Sequence, residues 1–208
     1  MMNQSVLSVR EQPYYQAFLL SLFALFVCGA VAAFSAMTKD LILARSIEDT
    51  QRQLVQVLPE TLYDNVPSQE EITLMIDGKP VHFFRARQKG IGSGVALFAE
   101  TTGYSGVIRL LLGIDANGTL TGVRVLSHTE TPGLGDNVDL NKSNWVLSFN
   151  GKSLQQPDEK GWHVKKDGGD FDSFTGATIT PRAVVKGVHE ALLLFRQHQN
   201  EFLDRKGS

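Results

Sequence analysis

Two hydroxyl side chains, Thr175 and Thr178, flank Gly176-Ala177 in the run from Asp172 through Ser173, Phe174 and Ile179 to Thr180-Pro181. Thr180-Pro181 reads as a helix start, with Thr as N-cap and Pro at the first helical position. A helix N-terminus offers unpaired amide N–H groups and the positive end of the helix dipole, a setting suited to an anion such as phosphate. A phosphate-bearing ligand is therefore expected at Thr175 to Thr178. Simple capping of the helix by these threonines would use the same spacing. A second segment, His128 to Asn137, contains Glu130-Thr131-Pro132-Gly133-Leu134-Gly135 directly after an expected strand. Pro-Gly and Leu-Gly fix a tight, exposed turn whose small residues let a flat ligand approach backbone amides. An ordinary surface loop is its alternative reading.

Other chemistries find little support. Gly90-Ile91-Gly92-Ser93-Gly94 has Val95 where a dinucleotide loop needs its final glycine, and no helical pattern follows, so a glycine-rich loop is expected. The histidines at 82, 128, 163, 189 and 198 lack metal-site spacing, and the single Cys28 builds neither a thiolate site nor an internal disulfide. Twenty Lys+Arg against twenty-two Asp+Glu leave a net charge of −2, without the basic excess of a nucleic-acid binder.

The elements that must position these segments follow a simple order. Residues 17–37 are uncharged and interrupted only by Ser21 and Ser35; at about 1.5 Å per residue they match the roughly 30 Å hydrocarbon layer. A retained transmembrane helix is expected, with Cys28 as an apolar filler, although Ala30-Val31-Ala32 also has the small-x-small spacing of a processing site. Its flanks carry Arg10 on one side and Lys39, Arg45 and Arg52 on the other, which alone would leave the larger domain in the cytoplasm. Leu43, Ile47, Leu54 and Leu58 share one helical face before Pro59, giving a stalk helix and linker over residues 38–65. Strands are expected at 72–76 and 81–86, joined by an Asp77-Gly78 turn, then at 95–101, 107–114, 120–127 and, shorter, 162–165. Val184, Val188, Ala191, Leu192, Phe195 and Phe202 mark a last helix to about Leu203. Strands followed by a helix predict an α+β domain over residues 66–208.

Asp172-x-x-Thr175-Gly176-Ala177-Thr178 resembles the flavinylation motif of the FMN-binding domain found in the G subunit of Rnf electron-transport complexes and in the C subunit of sodium-pumping NADH:quinone oxidoreductases. The resemblance implies that Thr178 is esterified to the phosphate of FMN by a flavin transferase using FAD, and that Asp172, Thr175, Gly176 and Ala177 form the recognition sequence and pocket. It also covers Glu130, Thr131, Leu134 and Gly135, as the flavin-side loop. Less specific matches put Tyr104 beside the ring system and Lys165 or Lys166 near the flavin, where Tyr104 and Lys166 read equally as a core aromatic and a solvated lysine. Compactness, Thr175 and Pro181 look more like the Rnf protein than its counterpart in the sodium pump.

That family implies a cytoplasmic segment 1–16, a helix 17–37 in the inner membrane and a periplasmic flavin domain, against the flanking charges. It implies an electron carrier with no catalytic residues of its own, working with other membrane subunits in electron transfer between ferredoxin and NAD coupled to sodium or proton translocation. The flavin would do the redox chemistry and the protein would bind, orient and tune it. The rival reading is a non-redox, membrane-anchored binding module.

Overall fold

The computed structural model describes residues 13–204. The chain divides into two compact units, Met1–Asp49 and Thr50–Ser208. One helix, α1 (Pro13–Val57), takes in the expected membrane segment and most of the expected stalk. Within it, Tyr14–Ala32 is long and apolar enough to cross a membrane, and its Leu and Phe side chains are exposed, including Phe18, Phe23 and Phe26. Ser21 is tolerated there because its hydroxyl donates to the Ala17 carbonyl, 2.8 Å away within the same helix. Residues 1–12 of the expected N-terminal segment lie outside the described residues, as do the side chains of Leu43 and Ile47.

The second unit is built on one antiparallel meander. Strands β1 (Glu71–Ile76), β2 (Lys79–Gln88), β3 (Ile91–Thr102), β4 (Val107–Asp115) and β5 (Leu120–Ser127) lie side by side in chain order. Both faces of the sheet are covered. Alternate β4 residues Ile108, Leu110, Leu112 and Ile114 join one core with Val184, Val188 and Phe195 of a helix α2 (Ile179–Gln197). Leu111, between them, joins Leu54, Val57, Leu58, Phe84 and Ala96 in a second core. Period-two alternation with both sides buried is why Leu110-Leu111-Leu112 reads as an unbroken apolar run.

The last turns of α1 therefore belong to the folded domain and take in part of the segment read as stalk and linker. Gly113 and Gly122 face each other across β4 and β5. A Cβ on Gly113 would fall 2.0 Å from the Val57 carbonyl oxygen, and one on Gly122 would fall 2.8 Å from the Val57 Cα. The Thr121 hydroxyl donates to that same Val57 carbonyl, supplying a partner where the helix leaves its last oxygens unpaired.

The expected α+β class and antiparallel strands are present, with three local corrections. Residues 162–165 do not form a strand: buried Trp162 and Val164 alternate with exposed neighbours, but the only ladder contact of this segment among the described residues is one bridge, Val164 to Phe171. Single-turn 3₁₀ segments at Glu159–Gly161 and Lys165–Asp167 take its place. Gly92 and Gly94, expected in a loop, lie inside β3. The final helix stops at Gln197, and a short α3 (Gln199–Phe202) follows. Buried Arg85 on β2 holds α3, its Nε donating to the Phe202 carbonyl at 2.7 Å and Nη2 to that of Glu201 at 2.9 Å.

Candidate functional site

Helix α2 starts two residues earlier than its Thr-Pro pair suggests. Thr178 is the N-cap residue, with φ −89° and ψ −19°, and its side chain makes no capping hydrogen bond. Thr180 and Pro181 are inside the first turn, where the missing proline N–H costs nothing because helical partners are absent there anyway. An ordinary capping threonine has extended backbone angles and accepts an amide from two or three residues ahead. Thr178 does neither, so capping does not account for its hydroxyl.

Immediately before it the chain forms a one-turn hairpin. Phe174 bridges Ala177, the Ala177 N–H donates to the Phe174 carbonyl at 3.2 Å, and Gly176 takes φ +83°. A positive φ at the third position is what a type II turn demands, and it leaves Thr175 exposed at the tip. The loop after β5 repeats the geometry. The Leu134 N–H donates to the Thr131 carbonyl at 3.2 Å, with Pro132 second and Gly133 third at φ +78°.

These two turns, the β3–β4 loop and the start of α2 enclose a cleft of about 290 Å³. Tyr104, Glu130, Thr131, Leu134, Gly135, Gly176, Ala177 and Thr178 line it, together with Ile179 and Thr180. Asp172, Thr175 and Lys166 do not line it. Tyr104 is 72% exposed, so it is no core aromatic, and Lys166 is a solvated lysine. Lys165, the other candidate, is the one beside the motif, with Nζ 2.7 Å from an Asp172 carboxylate oxygen. A larger hollow of about 780 Å³ follows the exposed membrane helix at Gln16 to Phe26 and has almost no polar wall to direct chemistry.

Glu130 holds the walls of the cleft together. Its residue is 5% exposed, and its carboxylate accepts the Ser105 N–H at 3.0 Å on one oxygen and the Thr180 hydroxyl at 2.5 Å on the other. Three chain segments distant in sequence thus meet on one buried charge. Farther out, Arg182 of α2 grips Asp167 with two hydrogen bonds at 2.5 and 2.7 Å, and this holds the Asp167 carboxyl below the ordinary carboxylate range. Thr180 reads in sequence as a cap and Ile179 does not stand out; the one signal pointing to them as cleft residues is their place directly after Thr178.

The cleft combines apolar walls with donors suited to an anionic group. Tyr104, Leu134 and Ile179 are large, exposed and apolar at its walls. Thr178 and the first amides of α2 offer a hydroxyl and N–H donors to an anion. Among the described residues no group of His, Cys, Asp and Glu is arranged to hold a metal ion.

An apolar N-terminal helix long enough to cross a membrane, joined to an α+β domain with a loop-lined cleft at a helix start, is the class that this fold and cleft define. Residues 103–193 match the family described as FMN-binding domain. The chain is 46% identical over 195 residues to the G subunit of the ion-translocating oxidoreductase complex of Cereibacter sphaeroides, covering 93% of this chain and 89% of that one. It is 45% identical over 203 residues to the protein of the same name from Pseudomonas aeruginosa, covering 94% of each. The chain belongs to this family, the G subunits of ion-translocating oxidoreductase (Rnf) complexes. Among solved structures, NqrC of Shewanella oneidensis matches with a TM-score of 0.47 at 24% identity, over 69% of this chain and 72% of that one.

Proposed function

We propose that this chain is a membrane-anchored electron carrier with FMN joined to Thr178 through a phosphoester, passing electrons between partner subunits of an ion-translocating Rnf complex. The observation that carries this reading is the Thr178 hydroxyl, at the cleft wall where α2 begins and not engaged as a cap. FMN, when bound, supplies reversible redox chemistry at its ring. Thr178 would fix the phosphate, beside the unpaired amides at the start of α2. Tyr104, Leu134 and Ile179 would flank the ring. Glu130 would hold the walls in register through Ser105 and Thr180. Gly135, Gly176 and Ala177 keep the backbone accessible, and Thr131 shapes the loop. Asp172 and Thr175, outside the cleft, belong to the sequence that the transferase reads, and Lys166 stays in solvent.

Attachment replaces one bond with another: the Thr178 oxygen attacks the flavin-side phosphorus of FAD, the pyrophosphate bond breaks, AMP leaves and the hydroxyl proton goes to solvent. A tethered flavin cannot diffuse away from the periplasmic face, on which we place residues 66–208, with 1–16 in the cytoplasm and 17–37 in the inner membrane. No separate substrate site is required, because electrons arrive from one partner and leave to another.

The test is coexpression of the full chain with a flavin transferase. The denatured wild-type chain is expected to fluoresce under ultraviolet light and to gain the mass of an FMN ester, and Thr178→Val to do neither. A dark wild type overturns the reading. A fluorescent Thr178→Val moves the attachment elsewhere.

A further inference from the structure

We propose that Trp145 is a positioning residue for flavin attachment, holding the acceptor hairpin Phe174–Ala177 in the form that the transferase engages. The proposal rests on the reading of Thr178 as acceptor. Trp145 is far from the motif in sequence, on a 3₁₀ turn at Asn144–Phe149 whose first residues are set by Ser143: its side chain caps the Trp145 N–H at 3.2 Å. The Ser143 hydroxyl itself donates to the Asn137 carbonyl at 2.6 Å, fastening this turn to the loop that carries Leu134 and Gly135. From this support the Trp145 indole N–H donates to the Asp172 carbonyl at 2.8 Å. Its ring meets Phe174 edge-on, with centroids 5.3 Å apart at 65°. One side chain therefore contacts both the first residue of the motif and the residue that opens the hairpin.

The rest of the hairpin has few ties of its own. Phe174 and Ala177 make a single bridge, and Thr175 and Gly176 at the tip are exposed. Lys165 also reaches Asp172, but that pair is 60% and 69% exposed, and exposed ion pairs contribute little. Trp145 combines a hydrogen bond with an aromatic edge contact against a fixed platform, since its other edge neighbour, Phe149, is fully buried at 5.3 Å. Loosening it lowers the fraction of chains whose hairpin is ready for transfer, and an acceptor that is competent only part of the time binds its enzyme with a proportionally weaker apparent affinity.

The chemistry of transfer is unchanged: the Thr178 Oγ–P bond forms, the FAD pyrophosphate bond breaks, AMP departs, and the hydroxyl proton is lost to solvent. The effect lies in KM for the acceptor protein rather than in the endpoint. The experiment uses the full chain, purified in detergent from cells without transferase and incubated with FAD and the transferase, with gel fluorescence followed over time at several acceptor concentrations. Trp145→Phe, which keeps an aromatic edge but loses the N–H, is expected to raise KM about fivefold. Trp145→Ala raises it further, both variants reach the full wild-type endpoint, and Lys165→Met changes KM less than Trp145→Phe. Wild-type KM in both tryptophan variants overturns the proposal. So does a lower endpoint at unchanged KM, which marks Trp145 as merely structural. If the wild type stays dark, the acceptor reading itself falls and this inference falls with it; if the wild type is labelled and the tryptophan variants match it, the acceptor reading stands alone.

Discussion

A threonine at a helix N-cap ordinarily commits its hydroxyl to an amide of the first turn, and Thr178 does not. Two residues on, Thr180 does the opposite: it is 1% exposed and its hydroxyl donates to buried Glu130. Two residues apart, the threonines differ in bonding: the Thr178 hydroxyl lies at the cleft wall without a cap bond, and the Thr180 hydroxyl holds that wall together. Thr180→Val keeps the volume and removes the donor, leaving a buried carboxylate short of a partner. We expect it to destabilise the domain by about 2 kcal/mol, the scale of a hydrogen bond to a charged group, in urea unfolding followed by circular dichroism. A change within experimental error would mean that Glu130 is satisfied without Thr180. Thr175→Ala, at the exposed hairpin tip, should keep part of the covalent flavin in the same gel assay that tests Thr178; complete loss would give its hydroxyl a larger role.

Among the elements, the last turn of α1 acts as a lid on one face of the sheet. Leu54, Val57 and Leu58 are each at most 1% exposed, although the periodicity of this segment alone reads as a stalk. Leu58→Ala should cost about 3 kcal/mol or more, within the range for truncating a fully buried leucine. A soluble chain beginning at Thr50 should unfold cooperatively, and one beginning at Val66 should not, since it leaves Phe84, Ala96 and Leu111 uncovered. Equal cooperativity of the two chains in thermal melts would remove α1 from the domain. On the opposite face, α2 carries His189, stacked on Trp162 with centroids 5.3 Å apart at 15°. Burial lowers its pKa below the ordinary 6.5, with Glu159 and Glu190 opposing and His163 and Arg196 assisting. A His with a depressed folded pKa contributes stability that is present above the unfolded value and lost as pH falls through the folded one. The domain should therefore weaken as pH drops below about 6.5, and His189→Gln should flatten that slope in urea titrations from about pH 7.5 to pH 5. An unchanged slope would assign the loss to other groups.

For the molecule as a whole, the two units answer different solvents. Tyr14–Ala32 carries no charge and exposes its aromatic and aliphatic residues, which suits hydrocarbon. The domain from Thr50 buries its apolar residues on both faces of the sheet and keeps its cleft among loops. An apolar anchor and an FMN-binding domain in one chain suit a subunit of an ion-translocating oxidoreductase complex.

Much of this was legible in the residues. The uncharged run from Ala17, the Asp77-Gly78 hairpin and the alternation in β5 follow from local chemistry: hydrocarbon length, turn geometry and side-chain period. Gly133 announced its turn because few other residues adopt a positive φ at low cost, whereas the turn at Gly176 came from the structure. Other features depended on contacts between segments far apart in the chain. Trp162 and Val164 alternate like a strand, yet among the described residues only the single bridge from Val164 to Phe171 pairs with them. The N-cap of α2 is Thr178 rather than Thr180, whose hydroxyl is drawn into the interior by Glu130. Trp145 reaches the motif only through the fold. The apolar helix and the antiparallel strands needed nothing beyond the amino-acid order, since each is written in short-range pattern. That Thr180 is buried against Glu130 while Thr178 makes no cap bond at the cleft wall was decided by the folded chain, because burial and hydrogen-bond partners are properties of residues brought together from distant positions.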